Sequence, residues 1–221
     1  MVRMAEAVTL AGKGLSRGRG RIDKRRAILD AAFGVFSREG YAQAGVDAIA
    51  AEAGVAKATV YNHFGDKETL LRETFAALAD SALEQNLAVV ERLADQGGDL
   101  RTLLEDVAFR LLQCHCDDRS RALRRLLSAE MTRFPDLLDT VQGVSDRVTE
   151  SLADRLARLA LAGRLSLTDP LVAAEQFSAL LGGPADKRSR LGTRPVPDTE
   201  LREVARAAVD TFLKAFAPAP A

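Results

Sequence analysis

Apolar residues recur every three or four positions along almost the whole chain, with no sustained two-residue alternation and no Asn-Gly hairpin signal. The pattern predicts an all-α protein. A first helix is expected from Ile22 to Glu39, with Ile28, Leu29, Ala32, Phe33 and Phe36 on one face and Gly40 tolerating the left-handed turn beyond it. Two short helices follow, Val46 to Ala53 and Lys57 to Phe64. Asp66 is placed to cap a long fourth helix whose stripe Leu71, Phe75, Leu78, Ala82, Asn86, Val90 and Leu93 runs to Gly97-Gly98.

Later helices are expected over Asp99 to Cys116, Ser120 to Phe134 and Pro135 to Ala162. Asp169-Pro170 opens another, carrying Leu171, Ala174, Phe177 and Leu181, which Gly182-Gly183-Pro184 should break. The stretch 182–197 then reads as a mobile loop, because its Gly, Pro and basic residues have little to bury. The last helix, Thr199 to Phe216, has a wide apolar face: Leu201, Val204, Ala205, Ala208, Val209, Phe212, Leu213 and Phe216. That face suits either the protein's own core or association with a second copy.

Composition narrows the class. Of the 221 residues 47% are hydrophobic and 28% charged, enough apolar material for a sizeable core in one or two domains, which excludes wholesale disorder. No apolar run approaches the roughly 20 residues of a membrane span. The run Ala5 to Ala11 contains Glu6 and Thr9 and makes a poor signal peptide, so the expected location is the cytoplasm, with nucleoid association when bound to DNA. Two cysteines two residues apart have no disulfide framework to build.

Overall charge balances at 31 basic and 31 acidic residues, but its distribution does not. Residues 1–67 hold 11 Lys and Arg against 7 Asp and Glu, and the remainder holds 20 against 24. Most of the surplus lies in KGLSRGRGRIDKRR, residues 13–26, where seven basic residues face only Asp23. Such a run suits a polyanion, and Arg17, Arg19 and Arg21 are its candidate contacts.

The segment Val46 to Phe64, VDAIAAEAGVAKATVYNHF, carries the chemistry. Counting Val46 as position 1 puts Ala50 at 5, Gly54 at 9 and Val60 at 15, the helix-turn-helix spacing. Ala50 permits close helix approach, Gly54 a turn that penalises a Cβ, and Ile49, Val55 and Val60 fill the wedge. Lys57, Thr59, Tyr61, Asn62 and His63 would then offer donors and acceptors to a major groove about 12 Å wide.

From about Arg26 to Leu71 the chain resembles the DNA-binding domain of the tetracycline-repressor (TetR) family. The residues that carry the likeness are Phe36, Gly40-Tyr41, Ile49-Ala50, Ala53-Gly54-Val55, Thr59, Tyr61, Phe64, Lys67 and Leu70-Leu71. Phe134 to Leu137 and Asp169 to Phe177 are similar to segments of some members' regulatory domains. The resemblance implies a flexible basic arm over 1–20, a DNA-binding domain over 21–67 and an effector-binding and dimerisation domain over 68–221. It implies a homodimer on a palindromic double-stranded DNA operator, released by a small-molecule effector. It places Lys57 and Thr59 at the groove-facing start of the second short helix, Tyr61, His63 and Lys67 on phosphates, and makes Asn62 the candidate base contact. Two positions depart from the family pattern. Ala44-Gly45 replaces a hydroxyl residue and Ala56 replaces a Ser, which removes two side-chain caps; Gly is an acceptable N-cap but Ala a poor one, at a typical cost of about 1 kcal/mol. Gly45 completes the expected DNA-contacting set.

For the effector pocket the expected residues are Phe109, His115, Met131, Phe134 and Phe177, and for the dimer face Leu181, Ala205, Val209 and Phe212. Cys114-His115-Cys116 is the one cluster with metal or redox chemistry. In a helix its two sulfurs point about 200° apart, so they do not chelate one ion together. No nucleophile elbow, glycine-rich phosphate loop or metal-binding His pair is present, so no enzyme, cofactor or metal is expected. The rival class, an effector-independent or architectural DNA-binding protein, leaves residues 68–221 without a purpose.

Overall fold

The computed structural model describes the backbone of residues 3–94 and 98–218, and the side chains of residues 22–94 and 98–218. Nine α-helices and one 3₁₀ turn account for the regular structure among the described residues, with no strand. The all-α expectation holds. The chain divides into two compact units, residues 1–77 and 78–221.

The first unit comprises α1 (Arg3–Gln43), α2 (Val46–Glu52), α3 (Lys57–Phe64) and the start of α4 (Lys67–Val90). Its core is built from Ile28, Ala32, Val35 and Phe36 of α1, Ile49 of α2, and Leu70, Leu71 and Phe75 of α4, all fully buried. The predicted α1 stripe is therefore used, except that Phe33 is only half-buried. Gly40 leaves helical geometry (φ 73°, ψ 164°), which turns the chain so that the Tyr41 ring lies 5.9 Å from Phe36. The expected cap forms at α4, where Thr69 N donates to Asp66 Oδ1 at 2.7 Å.

After α4 and a 3₁₀ turn (Glu91–Ala94), the second unit adds α5 (Leu100–Cys116), α6 (Asp118–Glu130), α7 (Asp136–Leu161), α8 (Pro170–Ser189) and α9 (Asp198–Phe216). Asp99, Asp117 and Asp169 cap α5, α6 and α8 through backbone N–H groups two or three residues on. One apolar core joins α5, α7, α8 and α9, with the Phe177 ring edge-on to Phe212 at 5.0 Å.

Helices α6 and α8 depart from the sequence expectation. Helix α6 begins at Asp118 because Asp117 caps it, and ends at Glu130, short of Phe134, whose position before Pro135 disfavours helical geometry. Helix α8 does not break at Gly182-Gly183-Pro184 but continues to Ser189. Pro184 lacks an N–H and its ring crowds the preceding turn, a substantial local cost. Tertiary burial offsets it: Phe177, Leu181, Ala185 and Ser189, spaced by four, all face inward and are at most 5% exposed. The stop comes at Arg190 and Leu191, both left-handed (φ 50° and 54°), and the connecting loop shrinks to 190–197.

Candidate nucleic-acid interface

Helices α2 and α3 meet at a wedge of Ile49 (0% exposed), Ala50 (4%) and Val60 (2%), with Val55 half-buried at its edge. The turn between them closes through Gly54 N to Ala51 O at 3.2 Å and Val55 N to Ala50 O at 3.0 Å. Gly54 sits at φ +67°, and a Cβ there would touch nothing within 4 Å. The turn therefore requires glycine for its backbone conformation and not for space.

With Val60 and Phe64 turned inward, α3 presents Lys57, Ala58, Tyr61 and Asn62 outward, while Thr59 and His63 lie half-buried on its flank. Lys57 and Tyr61 form one i, i+4 row and Ala58 and Asn62 the next, so four adjacent positions make a small exposed face. Gly45 and Ala56 precede α2 and α3 in extended conformation, and neither makes a side-chain cap bond.

The charges around this face are extensively paired. Lys57 Nζ lies 2.8 Å from Asp47 Oδ2, which raises the lysine's affinity for its proton. Arg38 meets Glu52 at 2.5 Å, Arg72 meets Glu68 at 2.6 Å, and Arg25 donates to Glu73 while lying over the Phe64 ring. Lys67, at the first position of α4, has its ammonium 4.6 Å from the centre of the Tyr41 ring and donates to Ala42 O at 3.4 Å. The N-terminus of α4 is already served by a carboxylate: Asp66 accepts from Thr69, chiefly its backbone N–H, and its acidity is enhanced accordingly. The positive end of a helix dipole favours an anion, and the anion in place here is the chain's own. The side chains of Arg17, Arg19 and Arg21 lie outside those described.

Asp47 was not among the sequence candidates. The signal was present as a carboxylate in the first turn of α2 and an ammonium in the first turn of α3, but only the angle between the helices brings them together.

In the second unit the expected pocket residues have different surroundings. Phe177 is fully buried against Phe212, Phe134 is buried beneath Arg133, and Met131 is 44% exposed. His115 Nε2 is hydrogen-bonded to Asp186 Oδ1 at 2.8 Å. Phe109 lies under the Arg202 guanidinium at 3.8 Å and borders a groove with Thr102, Glu105 and Asp106. A separate cavity of about 320 Å³ opens between α4 and the start of α6, lined by Leu78, Ser81, Ala82 and Gln85 on one side and Asp117, Ser120 and Leu123 on the other.

The expected dimer-face residues pack within the unit. Leu181, Ala205, Val209 and Phe212 are at most 5% exposed and belong to the unit's own core, so they retain no surface for a partner. The outward positions of α9 are instead largely polar, among them Arg202, Glu203, Arg206, Asp210 and Lys214. Cys116 is buried, Cys114 half-buried, both are free, and burial raises both thiol pKa values. Among the described residues no group of three or more His, Cys, Asp and Glu side chains is placed to hold a metal ion. No helix among them is long and apolar enough to cross a membrane.

A helix-turn-helix unit followed by a larger helical unit defines a class of DNA-binding regulators. Residues 28–74 match the family model for bacterial regulatory proteins of the tetR family, and residues 102–218 match the C-terminal domain of AefR-like transcriptional repressors. The chain belongs to the TetR family of transcriptional regulators. It is similar to a TetR-family regulator from Mesorhizobium loti of known structure, with 30% identity, a TM-score of 0.82, and 90% of this chain and 98% of that one covered. The flavonoid-responsive regulator FrrA is likewise 30% identical, with a TM-score of 0.69 over 89% of this chain and 98% of its own. A fatty acid metabolism regulator protein of Bacillus subtilis is 29% identical over 164 residues, 66% of this chain and 81% of that protein. Four other curated relatives are matched over 41 to 61% of their length.

Proposed function

We propose that the protein is a repressor that binds a palindromic operator as a homodimer and leaves it when a small-molecule effector occupies the second unit. The observation that carries this reading is the outward face of α3, where Lys57, Tyr61 and Asn62 project from a helix held by a buried wedge. Asn62 supplies a donor and an acceptor suited to an adenine edge, and Tyr61 a hydroxyl suited to a phosphate. Thr59, His63, Lys67 and the backbone at Gly45 border that face. A dimer places two copies of α3 about one helical turn of DNA apart, so the operator is an inverted repeat.

The effector site fits the cavity between α4 and α6. Its lining mixes apolar Leu78, Ala82 and Leu123 with the hydrogen-bonding groups of Ser81, Gln85 and Ser120 and the charged Asp117, Asp118 and Arg119, which suits an amphipathic organic molecule with a polar or charged end. A relative responsive to flavonoids and another governing fatty acid metabolism are in keeping with such a ligand class. Because α4 continues directly from the turn after α3, a ligand that binds one placement of α4 better than another shifts DNA affinity by that difference in binding free energy.

Selection from random duplexes at near-physiological salt tests the reading. An inverted repeat is expected, and flavonoids or long-chain acyl compounds should release the protein from it. Replacing Ala82 with Phe should fill the cavity and abolish release without abolishing DNA binding. Recovery of duplexes with no shared motif would replace this reading with that of an architectural DNA-binding protein.

A further inference from the structure

The exposed ammonium best placed on the outward face of α3 does not stand free. Lys57 Nζ meets Asp47 Oδ2 at 2.8 Å, across the angle between the first turns of α2 and α3. Both partners are well exposed, at 50% and 75% of their side-chain areas. Between solvent-exposed charges such a pair is weak, so a DNA phosphate can compete for the lysine.

The surroundings make that competition matter. Between residues 22 and 77 the chain carries seven Lys and Arg and eight Asp and Glu, so the segment has no basic surplus of its own. Arg25, Arg38 and Arg72 are each bonded to a carboxylate. Binding to arbitrary DNA sequence depends almost wholly on cations that reach phosphates, whereas binding to an operator adds base-edge contacts. A carboxylate that occupies a reading-helix lysine therefore weakens the first kind of binding proportionally more than the second.

From this we infer that Asp47 is a specificity-determining residue, which holds Lys57 off the phosphate backbone and so suppresses binding to non-operator DNA. The inference rests on the reading of α3 as the DNA-recognition helix. Asp47 itself touches no base; it acts through Lys57. Its charge also repels any phosphate approaching the same place, so the effect includes both the loss of a contact and the presence of a like charge.

The test uses the full chain, the inverted repeat obtained by selection, and a random-sequence duplex of equal length. Affinity is measured against salt concentration for wild type, Asp47→Asn, Lys57→Met and the double variant. For Asp47→Asn, affinity for the random duplex should rise several-fold at low salt, and the slope of log affinity against log salt should steepen by about 0.9, one additional phosphate contact. The ratio of operator to random affinity should fall. In the Lys57→Met background the same Asp47→Asn change should leave the slope unaltered, because the lysine that it releases is gone. An unchanged slope in Asp47→Asn, or an equal change with and without Lys57, would overturn the inference while leaving operator recognition intact. Failure of the wild-type protein to prefer any sequence would instead remove the reading beneath it. Both side chains are at the surface, and matching thermal unfolding curves for the four proteins would exclude misfolding as the source of any difference.

Discussion

Arg125 of α6 donates to the carbonyl of Gly192 at 2.6 Å and so ties the middle of the second unit to the loop between its last two helices. Arg121, one turn earlier and 8% exposed, reaches the same oxygen at 3.3 Å. Two guanidinium groups converge on one carbonyl because the chain turns sharply there: Arg190, Leu191 and Gly192 all have positive φ. A Cβ on Gly192 would lie 3.0 Å from the Arg121 backbone oxygen.

Gly192→Ala should therefore suffer twice, from the left-handed backbone and from collision with a main-chain atom, and lose about 2 kcal/mol or more. Gly54→Ala, at φ +67° with open space around the new methyl, should lose only the conformational share, about 1–2 kcal/mol. Urea unfolding of the two variants checks the ranking; equal losses would refute the steric part.

Helix α3 begins without a side-chain cap, although Ala56 already has the extended backbone of a capping residue (φ −71°, ψ 145°). Ala56→Ser should raise stability by about 1 kcal/mol, whereas Gly45→Ser before α2 should gain only a few tenths, since glycine is itself an adequate cap. Thermal unfolding of both variants reads the difference.

Contacts to bases and to phosphates should separate in salt titrations of the operator complex. Asn62→Ala is expected to cost about 1–3 kcal/mol of operator affinity with little change of slope. Lys67→Ala should lower the magnitude of the slope by about 0.9 and weaken all duplexes alike. The reverse pattern would exchange the two roles.

Asp186 is held below the usual carboxylate range, first by its hydrogen bond with His115 and then by the charges of His115 and Arg124, against the opposing effect of partial burial. A carboxyl whose pKa is depressed on folding contributes stability above its unfolded value, near pH 4, and loses that contribution as the pH falls toward the folded value. Asp186→Asn should thus cost below about 1 kcal/mol at pH 7, given the solvent exposure of the pair, and the gap from wild type should close below about pH 4. Melting temperatures measured from pH 3 to 7 follow it; a gap constant with pH would exclude the linkage.

Much of the architecture was legible because local signals and tertiary packing agree. Asp99 and Asp169 precede apolar periodicity and cap helices in place, and α3 has the expected bounds, Lys57 to Phe64. Where they conflict, packing wins. Gly182-Gly183-Pro184 is a sound local stop signal, yet the four-residue spacing of Phe177, Leu181, Ala185 and Ser189 continues through it, and burial of that row carries the helix on. The same limit applies to the sites. Periodicity identifies the apolar face of α9 but does not say which neighbour covers it, so Ala205, Val209 and Phe212 read equally well as partner-facing or core. Large residues such as Phe177 and Phe134 look suited to a pocket until packing fills the space around them. Asp47 and Lys57 lie ten residues apart with no periodic relation, and only the turn at Gly54 brings them to 2.8 Å.

The proline inside α8 leaves a mark on how the protein breathes. A helix opens by breaking hydrogen bonds in sequence, and residue 184 contributes no N–H to that series. The turns from Ala185 to Ser189 are consequently continuous with the rest of α8 in shape but separable from it in unzipping. In deuterated solvent their amides can exchange by a local opening that leaves the protons of the Ala173–Leu181 segment in place. The turn expected to exchange first is thus the one that carries Asp186, whose side chain is bonded to His115.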